Sequence, residues 1–335
     1  PSSNSLDMSI EDEQKEKVPT KDSINSLSTN DSPNTSGNFT EIAPFPPNNS
    51  NKQLNSSIFF GNKIFHFNFE DKSKAVKYSE EYVNEIYRNL LQDEMNLKAK
   101  PIYGYMYKQP QINEKMRVIL IDWIINIHFK FKLTPQSLYT TVFIIDTYLS
   151  MKPVKKNEFQ LLGLTAFLIA CKTQEVYCPN LEILINSTDG ACDKESVLKM
   201  ENDIVNTLNF DLYAPSPDDF YGILSTAFKF NSLQKNFGKY FMEYSLYDYN
   251  MIKYPASVIA AACCYFVMKF FGIEEYTKLY SNLIINGECP QKMIKHATKE
   301  LCFLVKNLVN CQDFFILKKK YSSKMYDKVS EYCEL

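Results

Sequence analysis

The stretch that most constrains the fold runs from Met116 to Ser150, where two helical patterns follow each other directly. In the first helix, apolar residues recur every three or four positions, and a second apolar side leaves few polar interruptions. A helix that is apolar on most of its surface is normally enclosed by other helices. Thr134 and Pro135 fit the N-cap and the first residue of the second helix. The stretch therefore predicts a central helix pair within an all-α fold.

Apolar periodicity elsewhere predicts two series of five helices, separated by Pro215 and Pro217. The first series comprises residues 113–131, 135–150, 155–174, 179–186 and 194–208. The second series comprises residues 217–229, 233–247, 255–271, 274–283 and 290–308. The third helix of each series is rich in small residues, which allow neighbouring helices to approach closely. The repeated order predicts two copies of one all-α module with little sequence identity between them.

These patterns divide the chain into five segments. The segments are a tail at 1–57, a connector with an N-terminal helix at 58–112, modules at 113–212 and 213–320, and a C-terminal tail at 321–335. The first tail is rich in Ser, Asn, Thr and Pro and cannot bury enough apolar surface to become ordered, so we predict disorder. The N-terminal helix is predicted from about Lys77 to Leu97. We expect the chain from Lys318 onward to pack loosely or fray.

The overall composition argues against several kinds of partner. The 37 basic and 39 acidic residues nearly balance, and only Arg88 and Arg117 are arginines, so nucleic acid is not an expected partner. The longest apolar run, Val258–Met268, is too short to cross a bilayer, and no leader opens the chain, so no membrane partner is expected. Nine cysteines without a CxxC pair are typical of an intracellular protein in a reducing compartment.

No combination of residues in the sequence indicates a catalytic site. His66, His128 and His296 lie on segments that do not converge in any reading of the pattern. The motifs GxxxxGK[ST], GxGxxG and GxSxG, which bind phosphates or present nucleophiles, do not occur. Cys289, His296 and Cys302 do not have the spacing of a zinc site. We therefore predict no catalytic residue, no metal and no cofactor.

Six short motifs follow one another along the chain. They are MRVIL at 116–120, Asp122-Trp123, IIDTYLS at 144–150, VLKME at 197–201, LNFDLYAP at 208–215 and SVIAAA at 257–262. Together they resemble the cyclin box, most closely that of the mitotic A- and B-type cyclins. The resemblance implies two tandem five-helix cyclin-fold modules preceded by an N-terminal helix and a disordered tail. It also implies a regulatory subunit, not itself an enzyme, that binds and activates a cyclin-dependent serine/threonine kinase and helps recruit substrates for cell-cycle control, in the nucleus and/or cytoplasm.

The resemblance places the kinase contacts in the first module and the N-terminal helix. Lys172 and Glu201 match the lysine and glutamate with which cyclins hold the mobile helix of the kinase and its adjoining backbone. From charge patterning alone, the same pair would be solvated ends of amphipathic helices. The surrounding contact residues are expected to be Glu175, Val176, Val205, Phe210 and Leu212, with Tyr82 and Ile86 from the N-terminal helix.

Two further sets of residues follow from the resemblance. One is a shallow apolar groove that docks RxL-type peptides of substrates or inhibitors. The groove residues are Met116, Ile119, Leu120, Trp123 and Gln160. Trp123 could instead be an ordinary core residue. The other set is Arg117 and Asp146, each a charge within an apolar helix, which match a structural salt bridge of the family.

Two other interpretations account for the same helices. A transcription-type cyclin, or another cyclin-fold transcription factor, would share the architecture, although the latter needs a basic face that this composition does not provide. A non-cyclin helical scaffold would require the ordered series of motifs to be accidental.

Overall fold

The computed structural model describes residues 82–273, 291–309 and 316–333 of the chain. Every regular element within these ranges is helical, so the all-α prediction is confirmed. The predicted disordered tail at 1–57, the connector up to residue 81 and the predicted helix at 274–283 lie outside the described residues.

The helices follow the predicted order. They are α1 (Val83–Met95), α2 (Glu114–Phe131), α3 (Pro135–Met151), α4 (Phe159–Gln174), α5 (Leu181–Asn186), α6 (Lys194–Thr207), α7 (Pro217–Ala227), α8 (Ser232–Tyr244), α9 (Ala256–Phe270), α10 (Gln291–Val309) and α11 (Ile316–Tyr321). Short 3-10 helices lie at Tyr105–Lys108, Lys156–Glu158, Tyr249–Lys253, Lys324–Tyr326 and Val329–Cys333. The helix predicted at 233–247 ends at Tyr244, where the chain turns toward Tyr249–Lys253.

Local capping explains where several helices begin. At the start of α2, the Asn113 side chain accepts a hydrogen bond from the Met116 amide at 3.0 Å. Asp193 and Ser216 form capping boxes that open α6 and α7. Pro135 is the first residue of α3, as predicted. These residues suit the first turn of a helix, where backbone amides lack helical acceptors.

The third helix of each module is enclosed by its neighbours. In the first module, α4 packs against α3, α6 and α2. A Cβ added to Gly163 would lie 2.6 Å from Leu120 Cδ1, so α4 approaches α2 closely at a residue without a side chain. In the second module, α9 packs against α7, α8 and α10, and Ala260, Ala261 and Ala262 are fully buried. The small residues of these helices therefore permit close helix packing, as predicted.

The C-terminal segment is anchored by buried residues at 320–321 and 329–330, so the prediction of loose packing is wrong for these residues. Lys320 is only 3% exposed, and its Nζ lies 2.6 and 2.7 Å from the two carboxylate oxygens of Glu243 in α8. The Tyr321 hydroxyl donates to the same carboxylate at 2.7 Å. Three consecutive lysines suggest a solvated chain end. The fold instead supplies a buried carboxylate that neutralises the third lysine.

A buried ion pair lies within the first module, and its arginine also contacts the second module. Arg117 of α2 donates two parallel hydrogen bonds to Asp146 of α3, from Nε to Oδ1 at 2.8 Å and from Nη2 to Oδ2 at 2.7 Å. The expected pair is therefore present. Tyr105 donates a further hydrogen bond to Asp146 Oδ1 at 2.8 Å. Arg117 Nη1 also donates to the Leu246 carbonyl of the second module at 2.8 Å, a contact that the sequence did not indicate.

Two buried titratable groups on α2 have pKa shifts of opposite direction. Burial, assisted by the charge of Lys320, lowers the pKa of His128 from 6.5 to about 4. Burial raises the pKa of Asp122 from 3.8 to about 6, although a hydrogen bond from Tyr247 opposes this rise. Each shift links the stability of the fold to pH.

We expect the two groups to change the free energy of unfolding in opposite directions on acidification. Neutral His128 contributes fully to stability above 6.5, its pKa in the unfolded chain, and this contribution is lost as the pH falls toward 4. The contribution of protonated Asp122 is full below 3.8 and is lost as the pH rises toward 6. Asp122→Asn keeps an acceptor for Tyr247 but cannot titrate. Between pH 7 and 4, its unfolding free energy should therefore fall by about 2 kcal/mol more than that of the wild type.

Urea unfolding of both proteins across this pH range measures the difference. His128→Gln should change the pH dependence in the opposite direction, since it removes the group whose protonation disfavours the fold. Parallel stability curves for the wild type and Asp122→Asn would contradict the assignment to Asp122.

Candidate functional site

A charged pair lies where α4 and α6 pack together. Lys172 is in the last turn of α4, Glu201 is in the middle of α6, and Lys172 Nζ lies 2.5 Å from Glu201 Oε1. The Lys172 side chain is 48% exposed and that of Glu201 is 19% exposed. A pair this accessible adds about 1 kcal/mol or less to stability. Both groups are therefore available to a partner at little cost to the fold.

The carboxylate of Glu175 is hydrogen-bonded within the fold, unlike the accessible pair. It follows the last residue of α4, and its Oε1 accepts hydrogen bonds from the Thr134 amide at 2.8 Å and from the Thr134 hydroxyl at 2.7 Å. These bonds hold the end of α4 against the start of α3. The carboxylate therefore positions the segment that begins with Val176.

Exposed apolar side chains follow both helices that carry the charged pair. Val176, just past α4, is 89% exposed, and Phe210, just past α6, is 73% exposed. Asn209 and Phe210 have φ values of 50° and 60°, which L residues rarely adopt, and the Phe210 amide donates to the Val205 carbonyl at 3.0 Å. This tight turn ends α6 and leaves the Phe210 ring in solvent. Val205 and Leu212 are half-buried and pack against the core.

The structure adds apolar residues that the sequence analysis did not single out. Tyr177 and Leu198 are both exposed. Leu198 lies three residues before Glu201 on α6, so helical spacing from Glu201 could have identified it. We call the whole set the Lys172 face. It comprises Lys172, Val176, Tyr177, Leu198, Glu201, Val205 and Phe210. Exposed apolar residues that flank a charged pair on two packed helices indicate an interaction site.

The N-terminal helix α1 packs on the second module. The Tyr87 ring is buried and meets Phe220 of α7 edge-on, with centroids 5.8 Å apart. Glu94 of α1 accepts a hydrogen bond from the Ser257 amide at 2.9 Å. Of the two contact residues predicted on this helix, Ile86 is half-buried against the core, whereas Tyr82 is exposed and accessible to a partner.

The residues predicted for the docking groove are mostly buried. Met116, Leu120, Trp123 and Gln160 are all buried, with Trp123 only 3% exposed, and Ile119 alone among the five groove residues is partly exposed. The burial follows from the enclosed position of α2, so Trp123 is a core residue. Its indole N–H has no hydrogen-bond partner within the part of the chain that the structure describes.

The described ranges contain neither a cluster of metal ligands nor a helix suited to a membrane. Within residues 82–273, 291–309 and 316–333, no three metal-ligating side chains cluster. In the same ranges, no helix combines the length and the apolar character that a bilayer crossing requires. His66 and Cys289 lie outside these ranges. The absence of a metal, a cofactor and catalytic residues remains a prediction.

Comparisons with known proteins agree with this architecture. The model of the cyclin N-terminal domain matches residues 85–213, and that of the cyclin C-terminal domain matches residues 215–335. The G2/mitotic-specific cyclin cig2 of Schizosaccharomyces pombe is 36% identical over 263 residues, which cover 75% of this chain and 60% of cig2. The G2/mitotic-specific cyclin cdc13 of the same yeast is 32% identical over 250 residues, which cover 75% of this chain and 50% of cdc13. The G2/mitotic-specific cyclin-B2 of Gallus gallus is 31% identical over 299 residues, which cover 88% of this chain and 73% of the relative.

A solved structure has the same fold. The viral cyclin from herpesvirus saimiri superposes with a TM-score of 0.57 at 20% identity, covering 66% of this chain and 96% of the viral protein. The chain spans 60% and 50% of the lengths of the two yeast relatives, so it corresponds to part of each. Because both domain models match in order and together cover most of its length, the chain belongs to the cyclin family.

Proposed function

We propose that the chain is the regulatory subunit of a cyclin-dependent serine/threonine protein kinase, which it binds through the Lys172 face and activates. The observation that carries the proposal is the pair of Lys172 and Glu201, whose side chains meet at 2.5 Å between exposed apolar residues. Apolar anchors beside a polar pair are typical of protein interfaces. Membership of the cyclin family, with relatives described as mitotic cyclins, supports a role in cell-cycle control.

The Lys172 face would act by holding part of the kinase in its active position. Lys172 offers hydrogen-bond donors and Glu201 offers acceptors, so together they can bind backbone groups of a partner helix and its flanking chain. Kinase activity requires an ion pair between a lysine of strand β3 and a glutamate of the mobile helix αC. A rigid face that holds αC inward would favour the active state of the kinase. Catalysis then belongs to the kinase, and this chain shifts its conformational equilibrium.

A pull-down from the source cell tests the proposal. The tagged full chain should co-purify with a protein kinase, identified by mass spectrometry, and the purified chain should raise the activity of that kinase on a simple peptide. We expect a cell-cycle kinase, whereas a transcription-associated kinase would favour the transcription-type alternative. Recovery of no kinase would reject the proposal. Imaging of the tagged chain should place it in the nucleus and/or cytoplasm.

We also propose that the seam between α2 and α4 opens to dock RxL-type peptides. The observation that favours docking is the unpaired indole N–H of Trp123, which could donate to a peptide carbonyl.

Trp123→Ala is a poor test of docking, since truncating a buried tryptophan costs about 3 to 5 kcal/mol of stability. Ile119→Ala with Gln160→Ala is the better variant. It should weaken phosphorylation of an RxL-bearing substrate roughly tenfold and spare a short peptide without the motif. Equal losses on both substrates would contradict docking.

A further inference from the structure

A cleft of about 630 Å³ lies between the N-terminal helix and the first module. The ends of α1, α3 and α6 and the chain that leads into α7 form its walls. Its volume is in the range of ligand-binding pockets and can accommodate a long side chain with its backbone. Phe210 lines the cleft and also belongs to the Lys172 face, so the two surfaces are continuous. A partner that covers the Lys172 face would therefore also reach the cleft.

The walls of the cleft carry exposed apolar side chains. Met151, Phe210 and Tyr213 line it, and all three are large apolar residues that the fold leaves exposed. Asn209 and Phe210 hold their left-handed backbone conformation at this wall. Such a conformation costs of order 1 kcal/mol or more per residue and is often retained at binding sites. The position of the Phe210 ring is therefore set by a turn of this kind.

The charges around the cleft are mainly negative. Asp93 and Asp211 line it, against one cation, Lys98. Neither carboxylate has an ion-pair partner among the described residues. Asp211 is held in place, because its Oδ2 accepts a hydrogen bond from the Ala99 amide at 3.0 Å. Thr207 also lines the cleft, and its hydroxyl has no hydrogen-bond partner in the described chain. The cleft thus offers two anionic groups to a ligand, beside a buried hydroxyl that lacks a partner.

We infer that the cleft receives a lysine or arginine side chain of the bound kinase, an inference that rests on the proposed function. The methylene stem would lie against Phe210 and Tyr213, and the cationic head would pair with Asp93 and Asp211. Lysine and arginine bury their stems on apolar surface while the charge stays at a polar end, and aromatic rings attract cations. An acidic side chain would be repelled. An apolar side chain would leave two carboxylates partly desolvated and unpaired.

Charge variants of the cleft test this inference, with the affinity of the full chain for its kinase as the readout. Asp93→Asn with Asp211→Asn removes both negative charges and keeps an acceptor for the Ala99 amide. We expect this variant to bind about tenfold more weakly, with a smaller dependence of Kd on salt concentration. Lys98→Ala removes the opposing cation and should bind about threefold more tightly. Glu182→Gln changes an exposed carboxylate that does not line the cleft, and its Kd should stay within about twofold of the wild type.

The outcomes separate the inference from the proposed function. If wild type binds and activates the kinase but the Asp93→Asn, Asp211→Asn variant has the same Kd and salt dependence, the cleft takes no cation. Tighter binding by that variant would show that an apolar or acidic group enters, which also overturns the inference. If the wild-type chain binds no kinase, the proposed function fails and the inference fails with it.

Discussion

Replacing Arg117 with alanine should lower the free energy of unfolding by about 3 to 5 kcal/mol. The guanidinium and the Asp146 carboxylate are both buried and joined by two hydrogen bonds. Without Arg117, the carboxylate keeps the Tyr105 hydroxyl as a donor but loses its counter-charge, and the Leu246 carbonyl loses a donor. A buried charge without a counter-charge accounts for most of the expected loss. Urea unfolding followed by the fluorescence of Trp123, the sole tryptophan, reports the change in α2 itself.

Two control variants test whether the loss of stability comes from leaving a buried charge unpaired rather than from breaking an ion pair of any kind. Lys152→Ala breaks a 2.6 Å ion pair with Asp203 whose side chains are nearly half exposed, so it should cost less than about 1 kcal/mol. Arg117→Met with Asp146→Leu removes both buried charges and should be more stable than Arg117→Ala. An Arg117→Ala protein that unfolds at the wild-type urea concentration would show that the pair does not stabilise the fold.

Lys172→Ala combined with Glu201→Ala should weaken binding to the kinase by about 100-fold or more, which corresponds to about 3 kcal/mol. The two side chains are the polar anchors of the Lys172 face, and their exposed pair contributes little to the fold. Circular dichroism and the urea midpoint should therefore remain close to those of the wild type. Titration of the purified kinase measures the loss of affinity, and a peptide assay measures the loss of activation.

The chain offers a matched control on the same helix. Glu195 and Lys199 form a 2.6 Å ion pair on α6 with the same two charges, and both side chains are largely exposed. Glu195→Ala with Lys199→Ala removes that pair and should leave kinase binding within about twofold of the wild type. If the two double variants bind alike, the Lys172 face is not the centre of the interface.

Much of the helical architecture could be predicted from the sequence because its causes are local. Apolar periodicity defines α2, and Pro135 marks the start of α3, so the sequence predicts both helices close to their observed bounds. The small residues of α4 and α9 predicted enclosed helices, and contacts such as that of Gly163 with Leu120 explain why.

The ion pairs could not be predicted from local pattern. Arg117 and Asp146 are 29 residues apart, as are Lys172 and Glu201, and no helical spacing relates side chains at that separation. The resemblance to cyclins predicts the pair of Arg117 and Asp146. It identifies Lys172 and Glu201 as kinase contacts but does not predict that they pair with each other. The face on which Lys172 and Glu201 meet, and its exposed apolar residues, required the packing of α4 on α6.

The remaining differences come from burial by distant parts of the chain. Lys320 follows two other lysines, and its burial depends on Glu243, 77 residues earlier. Trp123 has the residue type of a docking anchor, but its burial depends on the elements that enclose α2. The cleft beside Phe210 exists because the ends of three helices meet there.

Hydrogen exchange of the chain with and without its kinase tests the central claim most directly. If the Lys172 face is the binding surface, kinase binding should slow amide exchange at 173–178 and 208–213, the segments that carry Val176, Tyr177 and Phe210. Protection confined to α7–α10, with these two segments unchanged, would contradict the account.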